Sequence, residues 1–143
     1  MEVNIYIGVS SRYPKKKKRQ ICYILECRVN GREETRGGEP EAVTDTYHGA
    51  TITAICRAMK RITGPCKVAI YAEDTWTLHM MDTQMPEWER NGFRNRKGEP
   101  IPSQKEWMQI WIKRKEHDVR TVAGVHAYSN WMKEQMERGS ADV

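Results

Sequence analysis

Cys66-Lys67-Val68-Ala69-Ile70-Tyr71-Ala72-Glu73-Asp74-Thr75-Trp76-Thr77-Leu78 is the stretch around which the rest of the chain can be placed. Val68 to Tyr71 is an apolar run of strand length, and it stops at Ala72-Glu73-Asp74. A helical run, Thr75 to Met81, follows at once. Asp74 therefore falls where a strand ends and a helix begins. An aspartate there serves as a helix N-cap, and the same junction is where α/β folds place their chemistry.

Upstream, Val3-Asn4-Ile5-Tyr6-Ile7-Gly8-Val9-Ser10 alternates with the period of a strand. Arg12 to Arg19, with Lys15-Lys16-Lys17-Lys18 at its centre, is too charged to be core. It reads either as a solvated loop or strand end, or as a phosphate-facing arm. Ile21–Val29 and Arg32–Arg36 flank Asn30-Gly31, the pair suited to a type I′ hairpin turn because both central residues need positive φ. Gly37-Gly38-Glu39-Pro40 opens a loop. Thr44, Asp45 and Thr46 then offer caps to a helix running to about Ile62, with Ile52, Ile55, Met59 and Ile62 as its buried stripe. Gly64-Pro65 ends that helix.

Downstream, Pro86 starts a short helical segment through Glu87-Trp88-Glu89-Arg90, and Gly92 breaks it before the aromatic and basic protrusion Phe93-Arg94-Asn95-Arg96-Lys97-Gly98. Ser103-Gln104-Lys105-Glu106 has capping-box form and predicts a helix that buries Trp107, Ile110 and Trp111. Val119–Val125 is the last strand. A final helix after His126 carries Asn130, Trp131, Glu134 and Gln135. The expected order is β-β-β-α-β-α-(α)-α-β-α. It implies an α/β fold: a five-stranded mixed sheet, three antiparallel strands followed by parallel crossovers, with helices on both faces.

A chain of 143 residues is of the length of one domain, expected over 1–137 with 138–143 a disordered tail. Lys plus Arg outnumber Asp plus Glu by 24 to 19, a net charge of +5 that leans toward polyanionic partners. The four cysteines, Cys22, Cys27, Cys56 and Cys66, fit no zinc spacing. With no signal-peptide pattern and no apolar run of spanning length, the expectation is reduced thiols in a cytoplasmic monomer with no membrane partner.

Four local matches, in order along the chain, resemble the ribonuclease H type I family. Ile5-Tyr6-Ile7-Gly8-Val9-Ser10 is similar to the family's first strand, which ends in an aspartate followed by Gly-Ser. Tyr71-Ala72-Glu73-Asp74-Thr75 is similar to the strand-four signature. Trp88-Glu89-Arg90-Asn91-Gly92-Phe93 with Gly98-Glu99-Pro100-Ile101 resembles the basic handle. Val122-Ala123-Gly124-Val125-His126, then Asn130 and Glu134, resembles the Val-x-Gly-His loop and the helix after it.

The resemblance implies four carboxylates holding two Mg2+ or Mn2+ ions that cut the RNA strand of an RNA–DNA hybrid. Gly8 replaces the first of these acids and Thr51 the second. Asp74 stands at the third position, and Glu134 at the fourth in place of aspartate. Asp74 and Glu134 are thus the residual metal ligands, and His126 matches the family's mobile histidine. Glu73, which precedes Asp74, is expected to point to the opposite face. By the same resemblance, nucleic acid is contacted by Thr46, His48, Trp88, Phe93, Arg94, Arg96, Lys97 and Asn130. Recognition by shape, phosphates and 2′-hydroxyls does not depend on the metals. The favoured reading is an RNase H-like module that binds hybrid or structured nucleic acid without cutting. The alternatives are a working nuclease with a rearranged ligand set, and a scaffold that engages a protein partner.

Overall fold

The computed structural model describes residues 1–141, with the side chains of 140 and 141 excepted. Its elements are β1 (Glu2–Val9), β2 (Lys17–Val29), β3 (Arg32–Gly37), β4 (Glu41–Asp45), α1 (Tyr47–Met59), β5 (Lys67–Ala72), α2 (Thr75–Thr83), α3 (Met85–Arg90), α4 (Gln104–Glu116), β6 (Asp118–Ala123) and α5 (Ser129–Ala141). The sheet runs β3-β2-β1-β5-β6, with β4 attached to β2. The β1–β2, β2–β3 and β2–β4 pairs are antiparallel, and β1–β5 and β5–β6 are parallel. This is the expected mixed sheet with one strand more.

The sixth strand follows from the length of β2. Its C-terminal half, Ile24 to Val29, pairs with β3, and its first residues, Lys17 to Ile21, pair with β4. Gly37 and Gly38, at φ 93° and 98°, carry the chain from one partner position to the next along the same edge. Glu41–Asp45, expected as loop and cap, is therefore strand, and so is Lys17–Arg19 of the basic run. Asn30 and Gly31 both have positive φ, as the hairpin turn requires.

Alternation along β1 divides the interior into two layers. Val3, Ile5 and Ile7 face a large core built with α1 (Ile52, Ile55, Met59), α2 and α4. Tyr6 points to the other face, where it joins Cys22, Ile24, Met132 and Met136 under α5. α4 starts where the sequence placed it, but Ser103 sits in the left-handed region at φ 58° and makes no capping bond. The capping-box geometry is thus not adopted. α5 continues through Ala141, so the first part of the expected disordered tail is helical; 142 and 143 lie outside the described residues.

Candidate functional site

Asp74 lies two residues past the end of β5 and caps α2, as its place in the sequence implies. Its carboxylate is 3 % exposed and fully engaged. One oxygen accepts the Thr77 backbone N–H at 3.1 Å, the other accepts the Thr77 hydroxyl at 2.6 Å, and both lie within 3.0 Å of His48 Nδ1. His48 is the second residue of α1, and its ring lies tilted at 34° against exposed Trp76, 4.3 Å between centroids. Thr46 caps α1 by accepting the Gly49 N–H at 3.0 Å. Burial first, and then the Asp74 carboxylate, hold the Tyr47 phenol up at about 12.

The positions that resemble metal-ligand sites do not form a cluster. Thr51 donates its hydroxyl to Tyr47 O at 3.1 Å, a bond inside its own helix. Position 8 lies against α5: a Cβ added to Gly8 would come 2.9 Å from Met132 Sδ and 3.2 Å from the Met136 methyl. Methionines thus fill the direction in which an aspartate would project. Those two residues, i and i+4, set the buried face of α5, and Glu134, midway between them, is exposed on the far side. Asp74 is buried at the start of α2 while Glu134 is exposed on α5, and among the described residues neither belongs to a group of three or more side chains that could hold a metal. The motif put Glu134 at the right sequence position, while the Met132/Met136 spacing, also legible, fixed the helix phase that turns it outward.

The crevice in front of Asp74 holds about 20 Å³ and is lined by Ile7, Val9, Arg12, Tyr47, Thr51, Ala72 and Glu73. That is room for about one water. Its mouth carries an ion pair: Arg12 donates to Glu73 Oε1 at 2.5 Å. Glu73 was expected on the opposite face, but β5 has already ended at Ala72, so strand alternation does not apply to it. Mg2+ and Mn2+ call for several converging hard oxygen ligands. Here the crevice offers the Asp74 carboxylate already bonded to His48 and Thr77, the Glu73 carboxylate paired with Arg12, and a helix-bonded hydroxyl, and a pair of ions about 4 Å apart does not fit. Among the described residues no group of three or more His, Cys, Asp or Glu side chains is arranged to hold a metal.

His126 is held as well. Its Nε2 lies 2.9 Å from Ile7 O and its Nδ1 accepts the Tyr128 N–H at 3.2 Å, so both nitrogens are used in positioning the loop before α5. Of the remaining predicted contacts, Thr46, Arg94, Arg96, Lys97 and Asn130 are exposed and His48 is half-buried. Phe93 is 5 % exposed and Trp88 is packed against Trp107 at 5.0 Å between ring centroids, so both support the protrusion from inside. Arg94 donates to Gly98 O at 2.9 Å and closes its own turn.

The sequence also hid Arg19, read as part of a solvated run. It is 3 % exposed, and its guanidinium donates to Ser11 O at 2.7 Å, Lys15 O at 2.7 Å and Asp45 O at 3.1 Å. Its place opposite Val43 in the β2–β4 ladder is what buries it, and no local pattern in a run of cations singles it out. It fastens the loop that carries Arg12.

No protein-family profile matches the chain. A protein named Ribonuclease H from Legionella pneumophila (strain Lens) is 31% identical over 84 residues, 58% of this chain and 57% of that protein. Another of that name, from Pelobacter propionicus, is 30% identical over 93 residues, 64% of this chain and 55% of that protein. The aligned part thus spans a little over half the length of these curated relatives. In solved structures, the foamy viral protease-reverse transcriptase in complex with dsDNA superposes with a TM-score of 0.70 at 21% identity, covering 99% of this chain and 95% of that one. RNase H1 from Halobacterium salinarum superposes with a TM-score of 0.59 at 11% identity, over 100% of both chains. In sequence and in fold, the chain is ribonuclease H-like.

Proposed function

We propose that this chain binds RNA–DNA hybrid or a structured nucleic-acid duplex through the RNase H-like fold, and does so without cutting it. The observation that carries this reading is the saturation of Asp74. Both oxygens of the buried Asp74 carboxylate are used by His48 and Thr77, and the neighbouring Glu73 carboxylate is paired with Arg12, so neither acid of the crevice is free to recruit an ion and activate a water. Recognition rests on other groups. Arg96 and Lys97 are exposed at the tip of a protrusion stiffened by buried Phe93, where they can follow a phosphate backbone. Thr46 at the start of α1 and Asn130 in the first turn of α5 lie where the resemblance puts backbone contacts. The foamy viral protease-reverse transcriptase, which superposes with a TM-score of 0.65 at 22% identity, has been solved in complex with RNA/DNA hybrid, and that likeness supports the choice of ligand. The partner in this reading is nucleic acid, engaged by a single copy of the chain with no membrane involved.

The test is a labelled RNA–DNA hybrid incubated with the purified chain in Mg2+ and, separately, Mn2+. Retention at about 50 mM salt, weakening steeply as salt rises, is expected, with the hybrid intact. Failure to retain the hybrid at that salt would end the binding reading. Metal-dependent cleavage that Asp74→Asn abolishes would replace it with a working nuclease.

A further inference from the structure

A cleft of about 390 Å³ opens between the end of β1 and the start of α5, beside the narrow crevice at Asp74. Its donors come from two elements: Ser10, Ser11 and Arg12 after β1, and Ser129, Asn130 and Lys133 on α5. We propose that this cleft is a metal-independent phosphate site, in which Arg12 and Lys133 supply the positive charge that divalent ions would otherwise bring. The inference rests on the nucleic-acid reading for the source of that phosphate, and on the cleft alone for its chemistry.

Three observations support it. The hydroxyl oxygens are already receiving backbone N–H groups: Ser10 Oγ from Gln20 at 2.8 Å, Ser11 Oγ from Tyr13 at 3.2 Å, and Ser129 Oγ from His126 at 2.9 Å. A hydroxyl that accepts in this way presents its own O–H as a donor, which suits an anion. Next, the loop bearing Arg12 is bracketed by the buried Arg19 guanidinium, bonded to the carbonyls of Ser11 and Lys15. The position of Arg12 is therefore built into the fold. Last, Lys133 reaches the cleft because Met132 and Met136 fix the phase of α5.

Glu73 and Glu137 also line the cleft and oppose an anion. Glu73 is the ion-pair partner of Arg12, but the side chains are 30% and 68% exposed respectively, and pairs of that kind are weak. A phosphate, which accepts from a guanidinium through two oxygens at once, can displace the carboxylate.

The experiment measures hybrid affinity in EDTA over a salt series for the wild type, Arg12→Gln, Lys133→Gln and, as a charge-matched control, Lys60→Gln at the far end of α1. Each cleft variant should lose roughly tenfold in affinity at about 50 mM salt and lower the salt slope by about 1. Lys60→Gln should do neither, and Glu73→Gln should tighten binding by releasing Arg12. A second arm adds inorganic phosphate and follows the Ser129 and Lys133 amide resonances. If the hybrid is not retained but phosphate shifts these resonances in the wild type and not in Arg12→Gln, the cleft is a phosphate site and the hybrid reading alone fails. If the hybrid binds and the cleft variants behave like Lys60→Gln, the proposal is overturned. It is equally overturned if neither hybrid nor phosphate registers at the cleft.

Discussion

The crevice at Asp74 and the protrusion at 93–98 are both parts to which the resemblance assigns a function, and they depart from it in different ways. At the crevice the chain has filled space and consumed hydrogen-bonding capacity. Methionines of α5 press on Gly8, Thr51 bonds within its helix, and His48 and Thr77 take up Asp74. At the protrusion the interior is packed by Trp88 and Phe93, while Arg96 and Lys97 remain in solvent. A two-metal cluster depends on several hard ligands converging at once, so each acid replaced weakens it as a whole. A phosphate-tracking surface is a sum of nearly independent contacts, and it tolerates change one residue at a time.

The sharpest way to break this contrast is at the protrusion. Arg96→Gln with Lys97→Gln should reduce hybrid affinity on the order of 10²-fold at about 50 mM salt and lower the salt slope by about 2, with the melting temperature unchanged. An unchanged affinity would mean that the protrusion does not touch the ligand. At the crevice the effect should be on stability. Asp74→Ala removes the α2 cap and leaves the buried Thr77 hydroxyl only the longer contact to His48 Nδ1 at 3.4 Å, at a cost of about 2 to 3 kcal/mol in urea denaturation. If stability is untouched, Asp74 is not the structural residue described here.

Gly8→Asp tests why the first acid is missing. Its side chain must displace Met132 and Met136, so a loss of about 1 to 3 kcal/mol is expected. Paired with Thr51→Glu it should still yield no cleavage in Mn2+, because Asp74 stays bound to His48 and Thr77. The smallest effect belongs to the α5 face at high pH. Burial, reinforced by Glu26, pushes the Tyr6 phenol up to about 12 from an ordinary value of 10.0. Between those values the unfolded chain has lost a proton that the folded chain keeps, so this contribution to stability is whole below pH 10 and falls as pH rises toward 12. Chemical denaturation across that range should show the decline, reduced in Tyr6→Phe.

Much of the fold was legible because its signals are local. The run ending at Asp74, the Asn30-Gly31 turn and the α1 stripe each appear in the structure where the sequence puts them. What the sequence concealed depends on non-local placement. β4 exists because β2 is long enough to pair twice along one edge. Arg19 is buried by that ladder, and Phe93 is turned inward by a backbone at φ 57°. At the site, motif position drew attention to Asp74, Gly8 and Thr51. It could not show that Asp74 was already saturated, that Glu134 faced away, or that Arg12 and Lys133 shared a cleft. Those are facts of helix phase and of loops tied down by distant residues.

The central claim is recognition without metal chemistry, and one measurement tests it most directly: labelled RNA–DNA hybrid titrated with the chain in EDTA and in Mn2+, with binding and strand integrity read from the same samples. Equal affinity in the two conditions and an intact RNA strand is the predicted result. Binding that requires Mn2+, or an RNA strand cut in its presence, would contradict it.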